Sequence, residues 1–216
     1  MKSTVNFQVY QVYFNKLSKS KLDPGFIPYN NTGVDAHNFE NDIIKDVYLS
    51  KRKEWINADY VGIISWRFYE KSRLKSDEFY KKVIKSGYPV VSVGLSGNYK
   101  RESHPYTRKQ YQSILDICKK ADEYKLFDFN LLNYPVKTVI WCNYWVCTPE
   151  IFELYCSKYL LKILAFFSEN SNKDVLAAYN SKLKHRDQKP TYAMAFFLEG
   201  LFSVFLQEEN IDNIQI

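Results

Sequence analysis

Asp59-Tyr60-Val61-Gly62-Ile63-Ile64-Ser65-Trp66-Arg67 carries the strongest pointer to the fold class. Residues 60–66 are apolar with little alternation. A run of that kind suits a strand covered on both faces, as in the sheets of α/β proteins. It ends in Ser65-Trp66-Arg67, a polar and aromatic terminus. Open α/β sheets bind ligands just beyond the carboxyl ends of their strands. One stretch therefore predicts both a sheet and the place to look for a site.

Upstream, residues 5–14 alternate, with Val5, Phe7 and Val9 on one side and Gln8 and Tyr10 on the other, which predicts a first strand. Asp23-Pro24-Gly25 forces a turn. Pro28, Asn30, Asn31 and Gly33 then read as an irregular loop, a common place for ligand contacts. Residues 38–49 carry Phe39, Ile43, Ile44, Val47 and Tyr48 at helical spacing, with Asn38 as N-cap.

Downstream, Ser76 caps a helix through Phe79, Tyr80, Val83 and Ile84 that ends at Gly87. Residues 89–95 are strand-like, with a flexible exit through Gly94, Gly97 and Asn98. Residues 107–120 read as a helix with Tyr111, Ile114, Leu115 and Cys118 inward. Residues 137–146 read as a strand. Thr148 and Pro149 are a good N-cap and first helical residue for a long apolar helix to about residue 167. Residues 182–190 are charged and exposed, and a last helix spans about 191–207. Strands alternating with helices define an α/β layered domain. We expect residues 1–216 to form a single domain whose C-terminal helical portion begins near residue 148.

Composition fits this. Of 216 residues, 46% are apolar and 17% aromatic, which argues against disorder and leaves enough material for a core. The net charge of +6 is spread over many segments, so a solvated surface is the plain reading. The sharper reading is attraction to a nucleotide diphosphate, a membrane surface or nucleic acid. No nucleic-acid-binding motif accompanies the charge, which makes that partner the minority reading. The four cysteines form no C-x-x-C pair and read as reduced, partly buried thiols, as in the cytoplasm. No signal peptide and no apolar run of spanning length is found.

Several polar residues sit where a strand ends or inside an apolar run. Asp23 and Asn31 lie in the first polar loop, where amide groups could hold a base or phosphate; a turn-rich connection is the plainer reading. Arg67 could take a phosphate through paired hydrogen bonds, with Trp66 stacking on a ring. Asn98, Arg101, Glu102 and His104 share one loop after a strand. His titrates near neutrality and Glu can serve as a base. Asn143 interrupts an apolar strand and Glu199 an apolar helix; either must find partners if buried. Glu199 could instead lie on an exposed helix stripe. No G-x-x-x-x-G-K-[ST] or G-x-G-x-x-G occurs, so P-loop and dinucleotide-binding readings are poor. No Asp-x-Asp occurs; Glu40-x-Asp42 and Asp128-x-Asn130 come nearest.

In order along the chain, Tyr10 to Phe14, Leu22 to Pro28, Asp59 to Phe68, Glu102 to Pro105, Asn143 to Val146 and Phe196 to Ser203 resemble blocks of bacterial glycosyltransferase-like proteins of polysaccharide clusters. The resemblance is dispersed over most of the chain. It implies a compact GT-A-like, Rossmann-like mixed sheet flanked by helices. It also implies a nucleotide-sugar donor and a glycan or lipid-linked acceptor, at a cytoplasmic location or peripherally on the inner membrane face. Under it, Arg67 and Arg101 would face the diphosphate with Lys100 or a divalent metal (Mg or Mn), and Glu102 or His104 would take the acceptor proton. The Asp23–Gly33 loop would hold the nucleotide, and Asn143 and Glu199 would position sugar hydroxyls. Two departures stand out. Gly200 replaces an expected Arg, and the Asp-x-Asp metal signature is missing. The alternatives are a non-catalytic glycan- or nucleotide-binding relative and a nucleic-acid-modifying protein.

Overall fold

The structure, a computed structural model, describes residues 5–33, 37–93, 112–131, 134, 136, 139–140, 142–183 and 191–216. Strand β1 (Phe7–Tyr13) leads through the short helix α1 (Lys16–Lys19) to β2 (Ile27–Asn30). Helices α2 (Glu40–Ser50) and α3 (Arg52–Trp55) precede β3 (Tyr60–Ser65), and α4 (Phe68–Ser72) and α5 (Ser76–Ser86) precede β4 (Val90–Ser92). Beyond α6 (Gln112–Glu123) comes β5 (Trp145–Cys147). Helix α7 (Pro149–Tyr155) runs through a π-helical turn (Cys156–Leu160) into α8 (Leu161–Glu169), and α9 (Lys173–Tyr179) follows. A two-stranded ribbon, β6 (Lys182–Leu183) with β7 (Thr191–Tyr192), leads to α10 (Ala193–Glu208) and β8 (Asn213–Gln215).

The main sheet of the described residues is six-stranded, in the order β2-β1-β3-β5-β4-β8. β1 runs parallel to β2 and β3, and β4 parallel to β8, while β5 is antiparallel to both β3 and β4. This is the mixed sheet flanked by helices that the sequence predicts. The reversed β5 has a geometric consequence: its amino end lies at the same edge as the carboxyl ends of β1, β3 and β4.

Both faces of the sheet are buried, as the unalternating run over residues 60–66 requires. Tyr10, Val12, Val61, Ile63, Val90, Trp145 and Cys147 pack into the larger core with α2, α6, α7, α8 and α10. Val9, Ile64, Val91, Tyr144 and Val146 pack on the opposite face with Phe68, Phe79 and Val83. Tyr10 is therefore a residue of the larger core, not the polar side of a half-exposed strand.

At Gly62 the sheet has no room for a side chain. A Cβ there would lie 2.6 Å from the Trp145 carbonyl oxygen and 2.7 Å from Val146 Cγ1. The first of these atoms is backbone and cannot rotate away.

The structure corrects several expectations. Residues 27–30 form the edge strand β2 instead of an irregular loop; Pro28 is tolerated because an edge strand has a free side. Asn38 does not cap α2: Phe39 holds the cap position, while the Asn38 amide donates to Asp42 at 2.8 Å. Ser76 is the first residue of α5 and is itself held by Asp23. The strand expected over 137–146 shrinks to Trp145–Cys147, because Cys142 and Asn143 turn in the left-handed region with φ of 65° and 52°. Short β8, unforeseen, returns the chain to the sheet beside β4. The first part of the helix expected from residue 107 lies outside the described residues.

Gly62→Ala should lower the midpoint of urea unfolding, corresponding to about 1–3 kcal/mol of overpacking. An unchanged midpoint would contradict the close β3–β5 approach.

Candidate functional site

The site begins with α10. Nearly every residue of this helix is buried, as expected for one that is apolar all round. Glu199, Phe202 and Ser203 lie three and four residues apart, so they share a face. That face grips the segment before β5. The Ser203 hydroxyl accepts the Ile140 N–H at 2.9 Å, and Phe202 stacks on Trp145 with centroids 3.8 Å apart. The Glu199 carboxylate accepts the Cys142 N–H. Glu199 thus faces the sheet edge and is only partly exposed, so the reading of an open solvent stripe fails.

Lys71 and Glu40 lie beside it, and Tyr144 follows the turn it holds. The Lys71 ammonium, from α4, lies 3.1 Å from Cys142 Sγ and 5.4 Å from the Tyr144 ring centroid. Glu40, the first residue of α2, is close enough for its charge to act on Glu199. The Tyr144 hydroxyl is 2.6 Å from the Ser65 hydroxyl, which ties the lead-in of β5 to the end of β3. Five separate segments meet here: residues 40, 65, 71, 142–144 and 199.

Electrostatics follow from this crowding. Burial and the neighbouring Glu40 charge push the Glu199 carboxyl up to about 7, against the pull of Lys71 and the Cys142 N–H. Burial raises Glu40 as well, partly offset by Lys71. The Cys142 thiol is pushed up to about 12 by burial and by Glu199, so it stays a thiol at neutral pH. Burial also raises the Tyr144 hydroxyl. A carboxylate that titrates near neutrality is suited to take and return a proton.

Backbone geometry adds to this. Cys142 and Asn143 are consecutive non-glycine residues at positive φ. Such conformations cost on the order of 1 kcal/mol each and persist where surroundings over-determine them. The Asn143 side chain is 3% exposed and its Oδ1 has no hydrogen-bond partner.

The remaining candidates are placed as follows. Arg67 donates from Nε to Glu70 at 2.9 Å, and Lys21 joins the same carboxylate at 2.7 Å. Those two hydrogen bonds hold Glu70 below its ordinary range. Trp66 lies beneath Lys21, 4.7 Å from its ring centroid, and beside Arg67 at 5.8 Å. Both residues follow β3 at the site's edge. Asn31 follows β2, its N–H donating to the Tyr13 carbonyl at 2.7 Å. Asp23 accepts from the Ser76 N–H at 3.0 Å, the Ser76 hydroxyl at 2.5 Å and the Gly25 N–H at 2.9 Å. Burial alone would raise its carboxyl, but these bonds outweigh burial and lower it. Its oxygens are thereby occupied in starting α5. Asn98, Lys100, Arg101, Glu102 and His104 lie outside the described residues.

Glu40, Lys71 and Cys142 were not singled out by sequence reasoning. Glu40 drew notice only as half of a carboxylate pair, and Lys71 belongs to a run that reads as solvated surface. No local pattern announces either one. Among the described residues, no group of three or more His, Cys, Asp or Glu side chains could hold a metal ion. A divalent metal therefore does not fit the described cluster, in which Lys71 already supplies the positive charge beside the two carboxylates. A hollow of about 180 Å³ between the end of α10 and β8, lined by Ser203, Gln207, Asn210 and Asn213, is smaller than ordinary ligand pockets. No described helix is long and apolar enough to cross a membrane.

No protein-family model matches the chain. No curated protein matches it either. Among solved structures it is similar to the apo structure of WbbM, a bifunctional glycosyltransferase, at 15% identity and a TM-score of 0.46. The match covers 98% of this chain and 44% of that one, so the chain spans less than half the length of the structure it matches.

The raised Glu199 carboxyl has a testable consequence. Between its ordinary 4.5 and about 7, the folded chain keeps a proton that the unfolded chain has lost. The contribution of Glu199 to stability therefore falls as pH rises through that window. Glu199→Gln, neutral throughout and still able to accept the Cys142 N–H, should match the parent at pH 4 and exceed it by about 2–3 kcal/mol at pH 8. Denaturant titrations at both pH values check this. A stability difference independent of pH would contradict it.

Proposed function

We propose that the chain transfers a sugar from a nucleotide-sugar donor to a hydroxyl of a glycan or lipid-linked acceptor, on a GT-A-like domain. The observation that carries this reading is the convergence of Ser65, Cys142 to Tyr144 and Glu199 on one sheet edge, through the Ser65–Tyr144 contact and the Cys142–Glu199 hydrogen bond. Ser65, Asn143 with Tyr144, and Glu199 belong to three of the six blocks on which the resemblance to polysaccharide-cluster glycosyltransferases rests. Their meeting at the carboxyl edge, around a carboxyl poised near 7, supports a shared active site.

In the proposed reaction the acceptor hydroxyl gives its proton to the Glu199 carboxylate as its oxygen attacks the anomeric carbon. The bond from that carbon to the diphosphate oxygen breaks, and its electron pair leaves with the nucleotide diphosphate. Arg67, with its terminal nitrogens directed by the Glu70 contact, balances the developing charge. Asn143 and Tyr144 position sugar hydroxyls. Trp66 offers an aromatic face, and Asn31 lines the nucleotide end. Asn98, Arg101, Glu102 and His104 follow β4 in the sequence, and the proposal keeps Glu102 and His104 as a further acid–base pair. Asp23 acts indirectly, by fixing the loop before β2.

Purified protein should be stabilised against heat by one class among UDP-, GDP- and CMP-sugars, and should turn that donor over. Glu199→Gln should keep the thermal shift and lose about 10²–10⁴-fold in kcat. Arg67→Ala should lose the shift. Binding without turnover would assign the chain to the non-catalytic relatives; no shift with any donor would remove the sugar-transfer reading.

A further inference from the structure

The turn after β1 inverts the usual burial rule. Ser18 is almost fully buried, whereas Phe14 is 47% and Leu17 64% exposed. The cause is a capping box. Asn15 Oδ1 accepts the Ser18 N–H at 2.8 Å, and the Ser18 hydroxyl accepts the N–H groups of Phe14 and Asn15 at 3.0 Å each. Drawing Ser18 inward turns Phe14 and Leu17 outward. Their exposure is thus built by hydrogen bonds and is not that of a frayed loop.

These residues belong to a larger patch. The Phe14 ring meets Trp66 edge-on at 6.1 Å. Lys21 spans from the same turn to Glu70 on α4, the neighbour of Tyr69, which is 48% exposed. Isolated exposed apolar side chains are ordinary, but joined ones mark an interaction surface. The frame is basic: Lys16, Lys19, Lys21 and Arg67 stand against the single acid Glu70, and residues 14–22 hold no acid at all.

We propose that this patch docks on an anionic lipid bilayer, with Phe14 and Leu17 inserted at the headgroup boundary and the lysines on the phosphates. Apolar tips ringed by lysine suit such a surface, with aromatic rings at headgroup depth. The same positive frame disfavours a second copy of this chain as the occupant. The patch follows β1 and β3 at the sheet edge that carries Glu199, so docking would present the site to a lipid-borne acceptor. The docking itself stands without the transferase reading.

Co-sedimentation of the full chain with vesicles tests it. Binding should be strong to phosphatidylcholine mixed with phosphatidylglycerol, weak to phosphatidylcholine alone, and reduced by salt. Phe14→Ser with Leu17→Ser should weaken it about tenfold or more, and Lys16→Gln and Lys19→Gln about fivefold for each lysine. Unchanged thermal unfolding of these variants separates lost docking from lost folding. Equal binding to both vesicle types, or variants that bind like the parent, would overturn the proposal. So would a parent that ignores vesicles but forms a dimer which the Phe14 and Leu17 changes dissolve.

Discussion

The hydrogen bond from the Cys142 N–H to the Glu199 carboxylate is the contact on which the remaining architecture depends. It joins the buried helix α10 to the chain just before β5, and it does so across a left-handed turn that no glycine relieves. Because β5 runs against its neighbours, this turn falls at the carboxyl edge of β3 and β4. Phe202 and Ser203 hold the flanking positions, so one face of one helix holds Ile140, Cys142 and Trp145. Around the turn, Lys71 and Glu40 complete a cluster of two carboxylates and an ammonium. Stability does not account for Glu199: charging it inside the fold opposes folding. A carboxyl pushed up to about 7 is what the proposed proton transfer calls for.

Much of the fold was legible in the sequence for identifiable reasons. Residues 60–66 read as a doubly covered strand because apolar side chains on both faces leave no alternation. Pro149 after Thr148 and Gly87 after residue 86 marked helix boundaries through local backbone preference, which acts without tertiary help. What stayed hidden was set by distant partners. Residues 137–146 look like one strand because Val139, Ile140 and Val146 are strand formers. The turn at Cys142 exists because Glu199, 57 residues away, captures an N–H. β2 is only four residues long and carries Pro28, so its short Ile27/Tyr29 alternation was hidden among turn-formers, and pairing with β1 makes it a strand.

The site was legible in part for the same reason. Glu199 and Asn143 stood out as polar residues in apolar runs, and burial makes such residues informative. Ser65, Trp66 and Arg67 stood out by position after a strand. Lys71 and Glu40 have ordinary local sequence, and only packing places them beside Glu199. Asp23 shows the reverse: its loop looked suited to a ligand, and its oxygens instead start α5. The sheet edge thus combines a buried proton-exchanging cluster with an exposed basic and aromatic border. Under the proposed function, that arrangement would serve transfer to a hydroxyl presented from a surface.

Glu199 is placed to ionise near neutrality while holding the Cys142 amide. A pH titration of the Cys142 backbone amide resonance by NMR reads both at once. The expected result is a chemical-shift transition with a midpoint close to 7 that disappears in Glu199→Gln. A flat profile, or a midpoint at the ordinary carboxyl value of 4.5, would contradict it.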